Sequence, residues 1–187
     1  MPIRKILITG DPVLHSRARE VDKIDETVRD IVADMYETMD AAPGVGLAAP
    51  QIGQGLRIFV FSWSDENETY RGVAINPTLA VSGIPAEEAD EELDSEGCLS
   101  IPGERFPLNR YEKAVLTALD LDGQTFQIEA TGWLARIFQH EYDHLDGTLY
   151  ADRLEKPYLK QMKKAIKQMG WGQAGESWMP GEDDLEA

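Results

Sequence analysis

The chain has 187 residues, of which 42% are hydrophobic and 28% are charged, as expected for one soluble globular domain. No apolar run approaches the ~20 residues that span a bilayer, and the start of the chain lacks a signal-peptide pattern, which predicts a cytosolic protein without a membrane segment. The formal net charge of -16 argues against general nucleic-acid binding, because most of the surface repels phosphates.

Apolar residues between positions 25 and 40 recur at steps of three and four, which predicts an amphipathic helix packed on the core. Asp25 is a suitable cap for its start, and Pro43-Gly44 ends it. The N-terminal segment before this helix is expected to form a first strand or an extended arm.

Residues 44–53 (GVGLAAPQIG) contain three glycines and no charge. Glycine-rich loops often bind phosphate, but this one lacks the Lys-Ser/Thr end of a P-loop and no helical pattern follows it at once, so we reject a nucleotide site. The functional alternative is a loop whose backbone approaches a substrate closely, with Gln51 as its hydrogen-bonding side chain.

The middle of the chain has the pattern of strands. Residues 56–61 (LRIFVF) and 72–75 have the β-branched and aromatic content of strands. Residues 113–121 and 125–130 flank Asp122-Gly123, which is a strong hairpin signal. Between these two regions lies an acidic segment, residues 87–96, with seven carboxylates and no cation, which we expect to be solvated surface.

Residues 139–147 (QHEYDHLDG) hold two of the three histidines of the chain. On a helix, His140 and His144 leave the same face and can bind one transition-metal ion, while Glu141 points about 100° further round and can face metal-bound water. Thr131 as a cap and the apolar pattern after it predict such a helix. The alternative is a core helix whose histidines bond to carbonyl groups, but two histidines at ligand spacing around a glutamate favour the metal site.

Cys98 is the only cysteine, which excludes an internal disulfide and suits a reducing compartment. It is either a buried small hydrophobe or a reactive or metal-binding thiol. Catalytic metal sites commonly have three protein ligands, and no histidine follows His144, so Cys98 is the best candidate for the third ligand.

Three segments, GVGLAAPQIG (44–53), EGCLS (96–100) and QHEYDH (139–144), resemble in order and spacing the three signature motifs of bacterial peptide deformylases. The resemblance extends to about Leu154 and implies an α+β fold, with antiparallel sheets wrapped around a central helix that carries both histidines. It implies a cytoplasmic hydrolase of protein biosynthesis that acts on a linear amide. Such an enzyme removes the N-formyl group from the N-terminal formyl-methionine of nascent polypeptides and releases formate.

The resemblance also implies the roles of the site residues. Cys98, His140 and His144 would bind one Fe2+ ion per chain, for which Zn2+, Ni2+ or Co2+ can substitute, and Glu141 would act as the general acid/base. The side chain of Gln51 and the backbone N–H of Leu99 are expected to stabilise the developing oxyanion. Ligand types alone would indicate zinc, so iron rests on the resemblance.

The resemblance further implies that the peptide substrate lies like an added strand beside the backbone of Gly44, Gly46 and Gly97, and Val45 is expected to pack near the site. Trp133 and Arg136, on the helical turn before His140, are expected to form the wall of the pocket for the methionine side chain. A charged residue is unexpected beside a thioether. For Arg136 we therefore expect the aliphatic stem to line the wall and the guanidinium to reach solvent.

The C-terminal region changes its charge. Residues 148–154 are predicted to form a short strand, and residues 155–169 an amphipathic helix with five lysines and one glutamate. A solvated lysine face explains this helix, and an anionic partner such as ribosomal RNA is equally compatible with it. We expect one catalytic domain over residues 1–170 and a flexible acidic tail over 171–187, although Trp171 and Trp178 can dock back.

Two other functions remain compatible with the sequence. A related metallohydrolase or amidase would use the same site on another small acyl group, and a ribosome-associated binding module would keep the fold without turnover. The intact Glu141 argues against the binding module, since a protein that only binds has no use for a base there.

Overall fold

The computed structural model describes residues 2–65, 68–83, 89–183 and 185. Antiparallel sheets surround a central helix that carries both motif histidines, so the predicted α+β fold is confirmed. The helices are α1 (Glu26–Ala41), α2 (Gly132–Leu145), α3 (Tyr150–Arg153) and α4 (Tyr158–Met169). The strands are β1 (Ile6–Leu7), β2 (Gly46–Ala48), β3 (Ile58–Ser64), β4 (Thr69–Ser82), β5 (Ser95–Cys98), β6 (Ile101–Pro107), β7 (Lys113–Leu119), β8 (Thr125–Thr131) and β9 (Ser177–Trp178).

The largest sheet has five strands in the order β2-β3-β4-β7-β8, and all of its neighbours are antiparallel. β7 and β8 form the hairpin predicted around Asp122-Gly123. Two smaller sheets pair β5 with β6 and β1 with β9. Within the described ranges, no helix is long and apolar enough to cross a membrane.

Strand β3 is buried on both faces by different helices. Phe59 and Phe61 belong to the core under α2, where the ring centroids of Phe61 and Phe138 lie 5.0 Å apart. Ile58 and Val60 belong to the opposite core under α1. Because successive side chains of a strand point to opposite faces, this apolar run supplies both cores and places the sheet between α1 and α2.

Helix α1 agrees with its prediction to within one residue at each end. The Asp25 carboxylate caps it by accepting a hydrogen bond from the Val28 N–H at 3.2 Å. α2 begins after Thr131, as predicted, although the Thr131 side chain makes no capping hydrogen bond. The apolar periodicity and the packing on the sheet therefore determine α2 without that cap.

Two segments differ from their predictions. Part of the predicted loop 44–53 is strand β2, which pairs with β3, and Ala49–Ile52 form a single turn of 3-10 helix. Residues 148–154 contain the short helix α3 where a strand was predicted. Tyr150 of α3 is buried and its hydroxyl donates to the Glu104 carbonyl at 2.7 Å, so a short apolar run that is compatible with either element becomes helical through tertiary contacts.

The beginning of the acidic tail is part of the fold. β9 pairs with β1, and Ile6 lies opposite Trp178, which is only 3% exposed. The expectation of a flexible segment from residue 171 is therefore corrected around β9. Burial of an indole outweighs the Gly-rich, acidic composition that suggested flexibility.

Candidate metal centre and active site

The two motif histidines and the single cysteine come together at one point. α2 places His140 and His144 one turn apart, with 3.2 Å between their Nε2 atoms. β5 ends at Cys98, and its Sγ lies 3.3 Å from Nε2 of His144. All three candidate ligand atoms lie within 4.8 Å of one another, and all three residues are buried.

This arrangement fits a single transition-metal ion. Bonds of about 2.0–2.1 Å to nitrogen and 2.3 Å to sulfur place tetrahedral ligand atoms roughly 3.3–3.6 Å apart, close to the spacing found here. Two imidazoles and a thiolate suit Zn2+, Fe2+, Co2+ or Ni2+, whereas Ca2+ and Mg2+ prefer oxygen. Three protein donors are also the number typical of catalytic sites, which keep another position for water or substrate.

The protonation of the two rings also fits a cation. Burial holds the pKa of His144 well below its usual value, so this ring is neutral and can offer a nitrogen lone pair. Burial alone also lowers the pKa of His140, but hydrogen bonds and charges from Cys98 and Glu96 outweigh it and raise that pKa well above its usual value. The pocket therefore favours a positive charge beside Cys98 and Glu96, which a divalent ion supplies.

Glu96 orients His140 from the side away from Cys98. Its Oε1 accepts a hydrogen bond from Nδ1 of His140 at 2.6 Å, which leaves Nε2 facing the other candidate ligands. Arg110 donates to both carboxylate oxygens of Glu96, at 2.6 and 3.1 Å. Burial alone raises the pKa of Glu96, but Arg110 and His140 hold it well below its usual range. Glu96 is thus a buried carboxylate with the partners that such a charge requires.

Asp143, on α2 between the two histidines, extends this buried network. Its carboxylate accepts hydrogen bonds from Arg110 at 2.6 Å and from Arg153 at 2.5 and 2.6 Å. Arg153 belongs to α3, so the network ties the histidine helix to the segment that follows it. This connection restrains α2 where its two candidate ligands leave the helix.

The prediction that the Arg136 guanidinium reaches solvent is wrong. Arg136 is 7% exposed, and its guanidinium donates to Asp94 at 2.5 Å, to Glu96 at 3.1 Å and to the Leu108 carbonyl at 2.7 Å. Arg136 nevertheless lines the same cleft as Cys98 and His140. The carboxylates of Asp94 and Glu96 neutralise the buried guanidinium. They lie 42 and 40 residues from Arg136 in the sequence, so this pairing could not be predicted from the local pattern.

Glu141 lies beside His140 with its carboxylate buried. The backbone of Gly46 passes so close that a Cβ there would lie 2.3 Å from Oε1 of Glu141, so any side chain at this position would displace the carboxylate. Among the described residues, Oε2 of Glu141 has no hydrogen-bond partner, and burial raises the pKa of this carboxyl group to about 7. A group that titrates near neutral pH is suited to accept and return a proton.

Gln51 and Leu99 reach the cleft from two sides. Oε1 of Gln51 accepts from the Ala48 N–H at 2.8 Å, while its Nε2 lies 3.3 Å from Oγ of Ser100 and 3.8 Å from Sγ of Cys98. The amide of Gln51 is therefore fixed with its N–H groups toward the Cys98 end of the cleft. Leu99 lies in the turn between β5 and β6, directly after Cys98.

The cleft has a volume of about 450 Å³. A Cβ on Gly44 would lie 2.9 Å from Cδ1 of Leu99, so the wall is bare backbone at that point. Except for His144, which is buried and does not line the cleft, every predicted site residue lines it: Gly44, Val45, Gly46, Gln51, Gly97, Cys98, Leu99, Trp133, Arg136, His140 and Glu141.

Several residues of the site were missed from the sequence. Trp63 lines the cleft and stacks on Trp133, with 6.1 Å between ring centroids, and Arg105 and Ile137 line it as well. Ile137 precedes His140 by three residues, so helical spacing could have identified it. Trp63 and Arg105, like Arg110 in the buried network, carry no local signal because the fold alone brings them to the site.

Replacing Glu96 by Gln is expected to weaken Zn2+ binding by about 10- to 100-fold, because His140 loses its charged acceptor and Arg110 loses one of its two buried carboxylate partners. Competition with a chelating dye measures this affinity. Glu129→Gln makes the same change at an exposed position of β8 and should bind Zn2+ like the unchanged protein. Equal affinity in both variants would show that Glu96 does not support His140.

Comparisons with known proteins agree with this geometry. Residues 3–160 match the family model described as polypeptide deformylase. The chain is 50% identical over 186 residues to peptide deformylase 2 of Corynebacterium efficiens, covering 98% of this chain and 96% of that protein. It is also 50% identical over 190 residues to a peptide deformylase of Mycolicibacterium paratuberculosis, covering 97% and 96% of the two chains.

Solved structures show the same likeness. The peptide deformylase of Ehrlichia chaffeensis in complex with actinonin superposes with a TM-score of 0.78 at 36% identity, covering 90% of this chain and 96% of that one. The Synechococcus elongatus enzyme gives a TM-score of 0.79 at 35% identity, covering 91% and 90%. The fold, the Cys-His-His cluster and these matches together establish that the chain belongs to the polypeptide deformylase family of metal-dependent hydrolases, which remove the N-formyl group from nascent polypeptides.

Proposed function

We propose that Cys98, His140 and His144 bind the catalytic metal of this deformylase and that Glu141 is its general acid/base. The observation that carries the proposal is that three buried donor atoms lie within 4.8 Å of one another, beside the carboxyl group of Glu141, which lines the same cleft. When bound, the metal acts as a Lewis acid that activates water and polarises the formyl carbonyl. The protein residues then need to move a proton, stabilise negative charge and hold the peptide.

Glu141 accepts the proton of the attacking water and returns it to the leaving amine of methionine. The raised pKa supports this role, since a carboxylate that is too weak a base would not take the proton, and one that is too strong would not give it back. Hydrogen bonds from Gln51 and from the Leu99 N–H stabilise the oxyanion that forms on the formyl group. Both residues line the cleft at the Cys98 end, where that charge develops.

The formyl-methionyl peptide lies along the cleft as an added strand. Gly44, Gly46 and Gly97 have no side chains, so their backbone is accessible in the cleft. A side chain at any of them would also press against a neighbouring residue. Val45, which is 40% exposed, packs against the edge of the peptide. Trp133 and the aliphatic stem of Arg136 form the wall of the methionine pocket, and the buried guanidinium holds that wall in place.

The metal is proposed to be one Fe2+ ion per chain, with Zn2+, Ni2+ or Co2+ as substitutes. The donor set supports a divalent transition metal, and iron follows from the likeness to bacterial peptide deformylases. The test is deformylation of a formyl-Met tripeptide by anaerobically purified protein, with metal content measured on the same sample. Iron-dependent turnover that fades in air supports the proposal, whereas turnover of other acyl-Met peptides alone would favour the related amidase.

We also propose that the enzyme works in a bacterial cytoplasm and docks to ribosomes through α4. Met162 anchors this helix in the core, while four lysines of α4 are exposed: Lys160, Lys163, Lys164 and Lys167. An exposed basic face on an acidic protein binds phosphates locally, whatever the net charge elsewhere. Docking there would bring the cleft to formylated chains as they emerge.

Replacing Lys160, Lys163 and Lys167 together by Gln is expected to weaken co-sedimentation with ribosomes by at least about 10-fold and to flatten its salt dependence, because each lost phosphate contact lowers the logarithmic salt slope by roughly 0.7–0.9. The matched control replaces the exposed Lys5, Lys23 and Lys113 by Gln. Equal losses in both triple variants would indicate a general charge effect and contradict docking through α4.

Residues 1–170 are proposed to form a single catalytic domain. Support comes from the buried residues of β1, segment 44–53, α2 and α4, which belong to adjoining apolar clusters. The tail joins this domain at least through Trp178, which belongs to the same core as α1.

A further inference from the structure

The turn that follows Cys98 is held from outside by both ends of the chain. Leu99 and Ser100 form this turn between β5 and β6. The indole N–H of Trp178 donates to the Leu99 carbonyl at 2.8 Å, and the N–H of Thr9 donates to the Ser100 carbonyl at 2.8 Å. Each of the two turn carbonyls therefore has its own donor, one near each end of the chain.

The two ends are also bonded to each other beside this turn. Residues 172–178, here called the C-terminal strap, run alongside β1 and the two residues that follow it, Ile8 and Thr9. The Gly172 N–H donates to the Thr9 carbonyl at 3.1 Å, and the Ile8 N–H donates to the Glu176 carbonyl at 3.0 Å. Gly10 and Gly172 approach so closely that a Cβ on Gly10 would lie 2.2 Å from the carbonyl carbon of Gly172. This tight packing leaves the strap little freedom to shift along β1.

We propose that Trp178 is a positioning residue for deformylation, which acts by fixing the turn that carries the Leu99 N–H. The inference rests on the proposed role of that N–H as an oxyanion donor. A two-residue turn has only four soft backbone dihedrals, so holding both of its carbonyl groups restricts the orientation of the whole turn. Such a donor is effective because it is already in place before charge develops, and a loosened turn loses part of that advantage.

The burial of the Trp178 ring stabilises the C-terminal strap, whereas its hydrogen bond restrains the turn after Cys98. Burial of the ring stabilises the strap against the core, and this contribution depends on apolar area. The hydrogen bond adds a restraint at one atom of the catalytic turn. A substitution that keeps the ring and removes the N–H therefore separates the structural role from the positioning role.

Trp178→Phe removes the N–H and keeps a smaller aromatic ring, and kcat for a formyl-Met tripeptide is expected to fall about 5- to 20-fold, less than the roughly 100-fold loss of an oxyanion donor outright. KM and metal content per chain should stay unchanged, because neither the substrate cleft nor the metal ligands are altered. Trp171→Phe is the matched control: it makes the same change at a half-buried tryptophan of the same region and should keep kcat.

The backbone resonance of Leu99 gives a second readout, on the turn itself. In Zn2+-loaded protein, the amide signal of Leu99 should shift in Trp178→Phe and stay in place in Trp171→Phe. If Trp178→Phe does not fold, ligation of a synthetic C-terminal peptide can replace the indole by benzothiophene, which keeps the shape and lacks the N–H. Unchanged kcat in either folded variant would overturn the inference. No turnover in the unchanged protein would refute the proposed function and this role with it.

Discussion

Glu141→Gln is expected to bind one equivalent of metal and to lose roughly 100- to 10,000-fold in kcat, the usual contribution of a positioned general acid/base. Gln has nearly the same size as Glu, so the close contact with Gly46 is preserved and the neighbouring candidate ligands keep their geometry. The amide cannot accept the proton of water. Metal content by mass spectrometry and turnover of a formyl-Met tripeptide, measured on one preparation, test the two halves of this expectation.

The pH profile provides a control for the same variant. Burial raises the pKa of Glu141 to about 7, and a cation bound nearby favours the carboxylate and lowers it again. Activity of the unchanged enzyme should therefore rise with pH through a midpoint below about 7, because the base is the deprotonated form. The residual activity of Glu141→Gln should lack this rise. Normal turnover by the metal-loaded variant would remove Glu141 from the reaction.

Cys98→Ser is expected to weaken binding of Zn2+ or Fe2+ by more than about 100-fold, beyond the 10- to 100-fold effect typical of a residue that only supports a ligand. A serine hydroxyl remains protonated at neutral pH and is a poor ligand, whereas a metal binds cysteine as the thiolate. Titration against a chelating dye measures the loss. Activity should fall in parallel at limiting metal and recover in part at high metal concentration.

The single cysteine provides the control for that experiment. In the unchanged protein, alkylation of a thiol by iodoacetamide can take place only at Cys98, so bound metal should slow it strongly and a chelator should restore it. Equal alkylation with and without metal would show that the thiol is not a ligand. Unchanged metal affinity in Cys98→Ser would lead to the same conclusion by an independent measurement.

Elements with a long local pattern were predictable from the sequence. α1 has four turns of apolar periodicity and its own cap, and the hairpin of β7 and β8 has a turn sequence between two alternating segments. Short elements were not. β2 and α3 have three and four residues, and their conformations are decided by pairing with β3 and by the burial of Tyr150. Local propensity carries too little information at that length.

The candidate site divides in the same way. The histidine spacing on α2 identified two ligand candidates, and the lack of a later histidine indicated Cys98 as the third. The resemblance to known motifs supplied the expected roles of Gln51 and Leu99. The residues that support these candidates could not be predicted from the sequence, because Arg110 lies 33 residues from Asp143, and Arg136 lies 40 residues from Glu96. Ion pairs across such distances leave no periodic signal. This is why the guanidinium of Arg136 was expected in solvent and lies in a buried network instead.

The pairing of β1 with β9 has a consequence for how this protein is made. Among the described residues, the first and last strands are neighbours in one sheet, and Trp178, which donates to the Leu99 carbonyl, lies in the later strand. α1, the large sheet and the histidine helix can fold while translation continues. The turn after Cys98 gains its final restraint only when residue 178 has left the ribosomal exit tunnel. The hydrogen bond from Trp178 to this turn therefore forms later in synthesis than the pairing of β5 with β6.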